Sequence, residues 1–254
     1  MSPSRRTLIS RVLRTTAALG ASLALCSAFA QSAKPIRSMV GFPAGGGSDA
    51  IARLLAAKLR TPLGTEVLVE NRPGAGGQIA AQALKAAPAD GSVLFLSHDH
   101  TISILPLVVK NPGYAPETDF VPVAGIATFV NAFAVSGGTP ANSFAAYVDW
   151  VKAKNGGKDA VGIPAPASTP EFLVKVIADK YKLDLVSAPY RGSAPMVTDM
   201  LGNQIHAGVG SVQDFIENHR AGKIRVVGVL GTERQAALPD VPTFDEIGLK
   251  GFED

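Results

Sequence analysis

The sharpest chemical feature of this 254-residue chain is the run Phe42-Pro43-Ala44-Gly45-Gly46-Gly47-Ser48-Asp49. Apolar residues precede it and a helical pattern follows. Glycines let a backbone approach a ligand closely, and a helix N-terminus presents free N–H groups to an anion. Gly45, Gly47 and Ala50 also satisfy G-x-G-x-x-A, and Glu70 falls about where an acid would bind a ribose, so a dinucleotide stays open as ligand. A second glycine-rich stretch, Asn71-Arg72-Pro73-Gly74-Ala75-Gly76-Gly77, repeats the strand-to-helix setting. Ser97, His98, Asp99, His100 and Thr101 follow a third strand pattern and read as a polar loop lining a cleft. His98 and His100 lack further ligands at a metal-binding spacing. Later, Ser168-Thr169 and Tyr190-Arg191-Gly192-Ser193 each precede a helix, placing hydroxyls and backbone N–H groups at its start, with Arg191 adding a positive charge.

Catalytic patterns are missing. The glycine needed to complete G-x-S-x-G around Ser48 is Ala50, and no H-E-x-x-H occurs. His206 and His219 stand alone, read as a strand residue and a solvated helix end.

The elements that must position these residues follow from hydrophobic period. Strands are expected at Ile36–Phe42, Glu66–Glu70 and Ser92–Ser97, with helices at Asp49–Leu59 (Ile51, Leu54, Leu55 and Leu59 on one face) and Gln78–Ala87. This β-α-β-α-β order implies parallel strands with helices on the sheet faces. Two β-rich stretches, Val121–Phe129 and Asn131–Val135, lead to the breaker Gly137-Gly138-Thr139-Pro140. A second alternating set follows. Its helices are Ser143–Lys154, Pro170–Tyr181, Ala194–Leu201 and Val212–Arg220; its strands are Ala160–Pro164, Asp184–Pro189, Ile205–Val209 and Ile224–Leu230. Caps are expected at Ser143, at Ser168 or Thr169, at Ser193, and as a Ser211–Asp214 capping box.

Net charge and cysteine content look different once the N-terminus is set apart. Arg5, Arg6, Arg11 and Arg14 precede an apolar run and the small-x-small site Ala28-Phe29-Ala30, the pattern of an export signal, with a twin-arginine-like Ser4-Arg5-Arg6 start. Cleavage after Ala30 would remove four arginines and Cys26, taking the formal net charge from +3 to about −1. A thiol-free, nearly neutral chain suits an oxidising compartment, and no basic run with interleaved aromatics remains to support a nucleic-acid partner.

Together the motifs resemble the Bug (Bordetella uptake gene) family, the periplasmic solute-binding proteins of tripartite tricarboxylate transporters. The resemblance is carried by Lys34-Pro35-Ile36-Arg37, the Gly41–Asp49 loop, Glu70–Gly77, Asp119-Phe120-Val121-Pro122-Val123, Pro189-Tyr190-Arg191-Gly192, Ala221-Gly222-Lys223-Ile224-Arg225 and Leu238-Pro239-Asp240-Val241-Pro242-Thr243. It implies an α/β type II periplasmic-binding-protein fold, two lobes hinged around a ligand. On that reading residues 31–133 form the first lobe, 134–231 the second, and 232–254 an incomplete return to the first. The abrupt end at Phe252-Glu253-Asp254 is read as a truncation. The implied binding residues are Phe42, Pro43, Ala44, Gly45, Gly46, Gly47, Asp49, Ser97, His98 and Thr101 from the first lobe. From the second come Ser168, Thr169, Tyr190, Arg191, Gly192 and Ser193.

Two departures bear on the ligand. The loop Pro164–Glu171 is proline-rich, with Glu171 where the family usually has His, and Gly210-Ser211 stands where many members have Asp-Asn. A neutral, mono-acidic or partly cationic ligand therefore stays open beside the usual dicarboxylate. The expectation is a non-catalytic, cofactor-free, monomeric periplasmic receptor for a small carboxylate, working with a membrane permease. The alternative is an exported nicotinamide-dependent oxidoreductase resting on Gly45, Gly47 and Glu70; a cell-envelope scaffold, without an enclosed polar cleft, is a third class.

Overall fold

A computed structural model describes residues 34–251; the export-signal reading of 1–30 lies outside the described residues. The chain forms two α/β units. In the first, β1 (Ile36–Val40), β2 (Val67–Asn71) and β3 (Val93–Leu96) make a parallel sheet ordered β2-β1-β3. Helix α1 (Gly47–Leu63) joins β1 to β2, and a short turn at Ala75–Gly77 opens α2 (Gln78–Lys85) between β2 and β3. After β3 the chain winds through a wide turn at His100–Ile104, α3 (Leu105–Val108) and α4 (Pro116–Asp119).

The second unit holds β4 (Asn131–Ser136), α5 (Phe144–Asn155), β5 (Lys158–Ile163), α6 (Thr169–Tyr181), β6 (Asp184–Pro189), α7 (Ser193–Leu201), β7 (Ala207–Ser211), α8 (Val212–Arg220) and β8 (Ile224–Val229). Its sheet is ordered β6-β5-β7-β4-β8. β5 pairs in parallel with β6 and β7, whereas β4 runs antiparallel to both β7 and β8. A strand arriving from another unit is not bound to the direction that a helical crossover imposes. β4 therefore sits inside the second sheet along its whole length, including the residues 131–133 that the sequence reading gave to the first lobe.

Both faces of this sheet are covered, and β4 shows how. Phe133 and Val135 point into a cluster with Phe144, Tyr147, Leu173 and Ile177 of α5 and α6. Ala132 and Ala134 point the other way, where Met196, Met200 and Phe215 of α7 and α8 pack. The period of two thus serves two cores. Small residues on the second face let α7 lie close: a Cβ on Gly162 would stand 2.8 Å from Met196 Cγ.

Three regions differ from the sequence reading. Val121–Phe129 forms no strand; Val121 and Val123 are 86% and 81% exposed. β-propensity expresses fit to a half-buried pleated surface, and this segment has no sheet beside it to supply one. On α1 the expected apolar stripe is poorly covered. Leu54 is 61% exposed, while Ser48, Asp49 and Ala52 are the buried residues, because the three-stranded sheet meets the start of the helix. Finally, Leu238 and Val241 join the α7–α8 core, and Phe244 and Leu249 join the α5–α6 core. The chain to Leu249 therefore stays on the second sheet, held by Phe244 N–H donating to Val229 O at 2.8 Å.

Candidate functional site

In a parallel sheet the loops after the strands gather at one edge, and here the two such edges face each other. The β1–α1 loop of the first lobe reaches into the second at two points. Pro43 packs on Gly192, whose added Cβ would lie 2.7 Å from Pro43 Cδ. Four residues on, the Gly47 N–H donates to Asp214 Oδ1 of α8 at 3.3 Å. Asp214 is held for this contact by its own capping box, its Oδ2 accepting from Ser211 N at 3.1 Å and Ser211 Oγ at 2.7 Å.

Beside the Pro43–Gly192 contact lies a cleft of about 210 Å³. Gly41, Phe42 and Gly74–Gly76 wall it from the first lobe. Pro164, Pro166 and Pro189–Gly192 wall it from the second. Tyr190 is fixed by its hydroxyl, which donates to Asp199 Oδ2 at 2.7 Å; burial and that carboxylate push its pKa up to about 12. Arg191 is the one formally charged residue of the wall, and no acidic partner meets it among the described residues.

The loop is shaped from within by Asp49. Its Oδ2 accepts from Gly45 N at 3.0 Å and Arg53 Nε at 2.9 Å, and its Oδ1 from Asn71 Nδ2 at 3.0 Å. The bond from Arg53, the largest cause, holds the carboxyl below its usual pKa, and the Gly45 and Asn71 bonds add to it. Asp49 thus turns into its own loop and away from the cleft.

His98 lies half-buried between Phe42 and Phe129, ring centroids 5.0 and 5.1 Å away, with its Nε2 against Ser48 Oγ. Burial lowers its pKa, against the opposing pull of Asp99 and Asp214, so the ring is neutral at pH 7. Deeper in the first lobe, His100 is 7% exposed, and neither ring nitrogen has a hydrogen-bond partner among the described residues.

Of the residues read from the sequence, Phe42, Tyr190, Arg191 and Gly192 line the cleft, and Pro43 borders it. Gly47 meets the second lobe through Asp214, Gly46 and His98 are half-buried, and Ala44 and Gly45 are exposed. Ser97 donates to His98 O at 3.2 Å. Thr101 is wholly buried and donates to Gly76 O at 2.7 Å, fixing the turn behind the cleft wall. Ser168 is buried too; its hydroxyl donates to Ala165 O at 2.6 Å and makes no cap bond, unlike Ser143, which caps α5 by accepting from Ala146 N at 3.1 Å. Thr169 and Ser193 are half-buried first residues of α6 and α7; Gly192, not Ser193, takes the cap position of α7. Glu171 accepts from Ala167 N and faces an outer groove beside Phe172. Asp214 and the three wall prolines escaped the sequence-based list. A capping box shows where a carboxylate bonds locally, but not that its second oxygen meets another lobe.

Residues 51–254 match the TctC family, described as tripartite tricarboxylate transporter family receptor. Protein BugT of Bordetella pertussis is 32% identical over 231 residues, covering 89% of this chain and 69% of BugT. The chain belongs to this family. A UPF0065 protein from the tcbD-tcbE intergenic region of Pseudomonas sp. strain P51 is 33% identical; the match covers 87% of this chain and 65% of that protein. The chain thus spans about two thirds of the length of these TctC relatives. The solved periplasmic binding protein BugD has 32% identity and a TM-score of 0.76, over 87% of this chain and 73% of BugD. MatC from Rhodopseudomonas palustris with bound malate has 26% and 0.79, covering 87% and 75%; R. palustris Rpa4515 with adipate has 29% and 0.80, covering 87% and 74%. The two-sheet α/β architecture is the type II periplasmic-binding-protein fold of these proteins.

Proposed function

We propose that this TctC-family chain is a non-catalytic periplasmic receptor that closes two lobes around a small carboxylate and presents the closed form to a membrane permease. The lobes are taken as residues 34–130 and 131–249, one around each sheet. The observation that carries the reading is the cleft between facing strand ends, whose one charged wall residue, Arg191, meets no acidic partner among the described residues. The ligands named for MatC and Rpa4515, malate and adipate, support a carboxylate. Closure follows if the ligand binds the closed arrangement more tightly than the open one. A monomer suffices for this function, since both walls come from one chain.

The nicotinamide alternative meets an electrostatic obstacle. Gly45 N and Gly47 N already face the carboxylates of Asp49 and Asp214, and Glu70 is paired with Arg37 at 3.4 Å and Arg72 at 2.6 Å. A pyrophosphate would have to displace two anions. Thermal-shift and calorimetric titration of the full chain with organic acids and with NAD and NADP tests the reading. A carboxylate that binds and raises the melting temperature is the expected result; a nucleotide binding while every carboxylate fails would overturn it.

A further inference from the structure

We infer that the cleft selects a monocarboxylate with an apolar body over a dicarboxylate. This rests on the interlobe cleft being the ligand site. The wall supplies one cation, Arg191, enough to hold one carboxylate. The other lining side chains are Phe42, Ala75, Pro164, Pro166, Pro189 and Tyr190, whose hydroxyl is engaged by Asp199. At about 210 Å³ the cleft is smaller than the ~300–1,000 Å³ of drug-sized sites, so the ligand is small.

A second carboxylate would need a second set of donors, and two amides of the loop nearest the cleft are already spent. The loop leading into α1 carries the amides that suit an anion. Gly45 N is taken by Asp49 at 3.0 Å and Gly47 N by Asp214 at 3.3 Å. The chain has supplied its own anions there. Asp214 cannot easily swing aside, because both Ser211 N and Ser211 Oγ hold its other oxygen. A ligand's second carboxylate placed at this end would meet like charge. His98, neutral between its two phenyl rings, adds no compensating cation. Glu171 does not favour a cationic ligand either, since it turns to Ala167 N on the outer side.

The test is calorimetric titration of the full chain with hexanoate and phenylacetate against adipate and malate. The monocarboxylates are expected to bind at least tenfold more tightly. Arg191→Gln, in an exposed loop, is expected to weaken their binding at least tenfold. Asp214→Asn keeps an oxygen for Gly47 N while removing the charge, and is expected to raise adipate affinity several-fold and narrow the gap. Adipate or malate binding as tightly as the monocarboxylates overturns the inference while leaving the proposed function standing. Binding by none of the four, across a wider acid panel, overturns both. An Arg191→Gln protein that binds hexanoate normally, or an Asp214→Asn protein with an unchanged gap, also overturns the inference.

Discussion

Gly192 in the second lobe lies so close to Pro43 in the first that a Cβ on Gly192 would stand 2.7 Å from Pro43 Cδ. Its φ of 103° is also one that L-residues rarely adopt, and its N–H donates to Pro164 O at 2.8 Å. One backbone position thus sets both the cleft wall and the contact between lobes. Gly192→Ala should cost about 1–3 kcal/mol in backbone strain alone. Displacing Pro43 should weaken ligand binding by about tenfold or more, since tenfold needs only ~1.4 kcal/mol. Calorimetry and thermal melting of the variant check this, the melting temperature falling by roughly 2–4 °C for each kcal/mol lost in a chain of this size.

Asp49 predicts a different phenotype. Although it sits in the glycine loop, its carboxylate binds Gly45, Arg53 and Asn71, not the cleft. Asp49→Asn should destabilise the first lobe by about 1.5–3 kcal/mol, the range for hydrogen bonds to charged groups. Hydrogen exchange at Gly45–Ser48 should speed up. Unchanged melting and exchange would contradict the role assigned to it.

The pH dependence follows from His98, His100 and His219. Burial lowers the pKa of all three, so the unfolded chain binds more protons than the folded one as acidity rises. Stability should be full above about pH 6.5, the ordinary histidine value, and fall as pH drops below it. Asp49, Asp119 and Glu246 have lowered values as well, so their contributions persist above about pH 4 and are lost only in stronger acid. The loss between pH 5 and 6.5 therefore belongs to histidine. Replacing His100, whose ring nitrogens meet no hydrogen-bond partner among the described residues, with Leu should partly flatten that limb of a melting-temperature profile.

Much of this was legible in sequence because periodicity and turn residues act locally. The helices expected at Gln78–Ala87, Pro170–Tyr181 and Val212–Arg220 form within two residues of those bounds, and the Ser211–Asp214 box is present. What escaped depends on partners distant in the chain. Val121–Phe129 has strand composition but no adjoining sheet. β4 reads as a strand, yet its antiparallel direction is fixed by β7 and β8, some 75 to 95 residues later. At the site, the loops were visible as glycine runs. The burial of Thr101 and Ser168, the inward turn of Asp49 and the reach of Asp214 to the other lobe are products of packing that no local pattern encodes.

The central claim is capture of a carboxylate by closure of two lobes. It is tested most directly by the distance between them. With Cys26 replaced by Ser, spin labels at Lys58→Cys on α1 and Lys152→Cys on α5, both exposed, report that distance by double electron–electron resonance. The distribution is expected to narrow and shift to the shorter, closed distance on saturation with a bound carboxylate, and Arg191→Gln is expected to need at least tenfold more ligand for the same shift. A distribution unchanged by a carboxylate that calorimetry shows to be bound would contradict it.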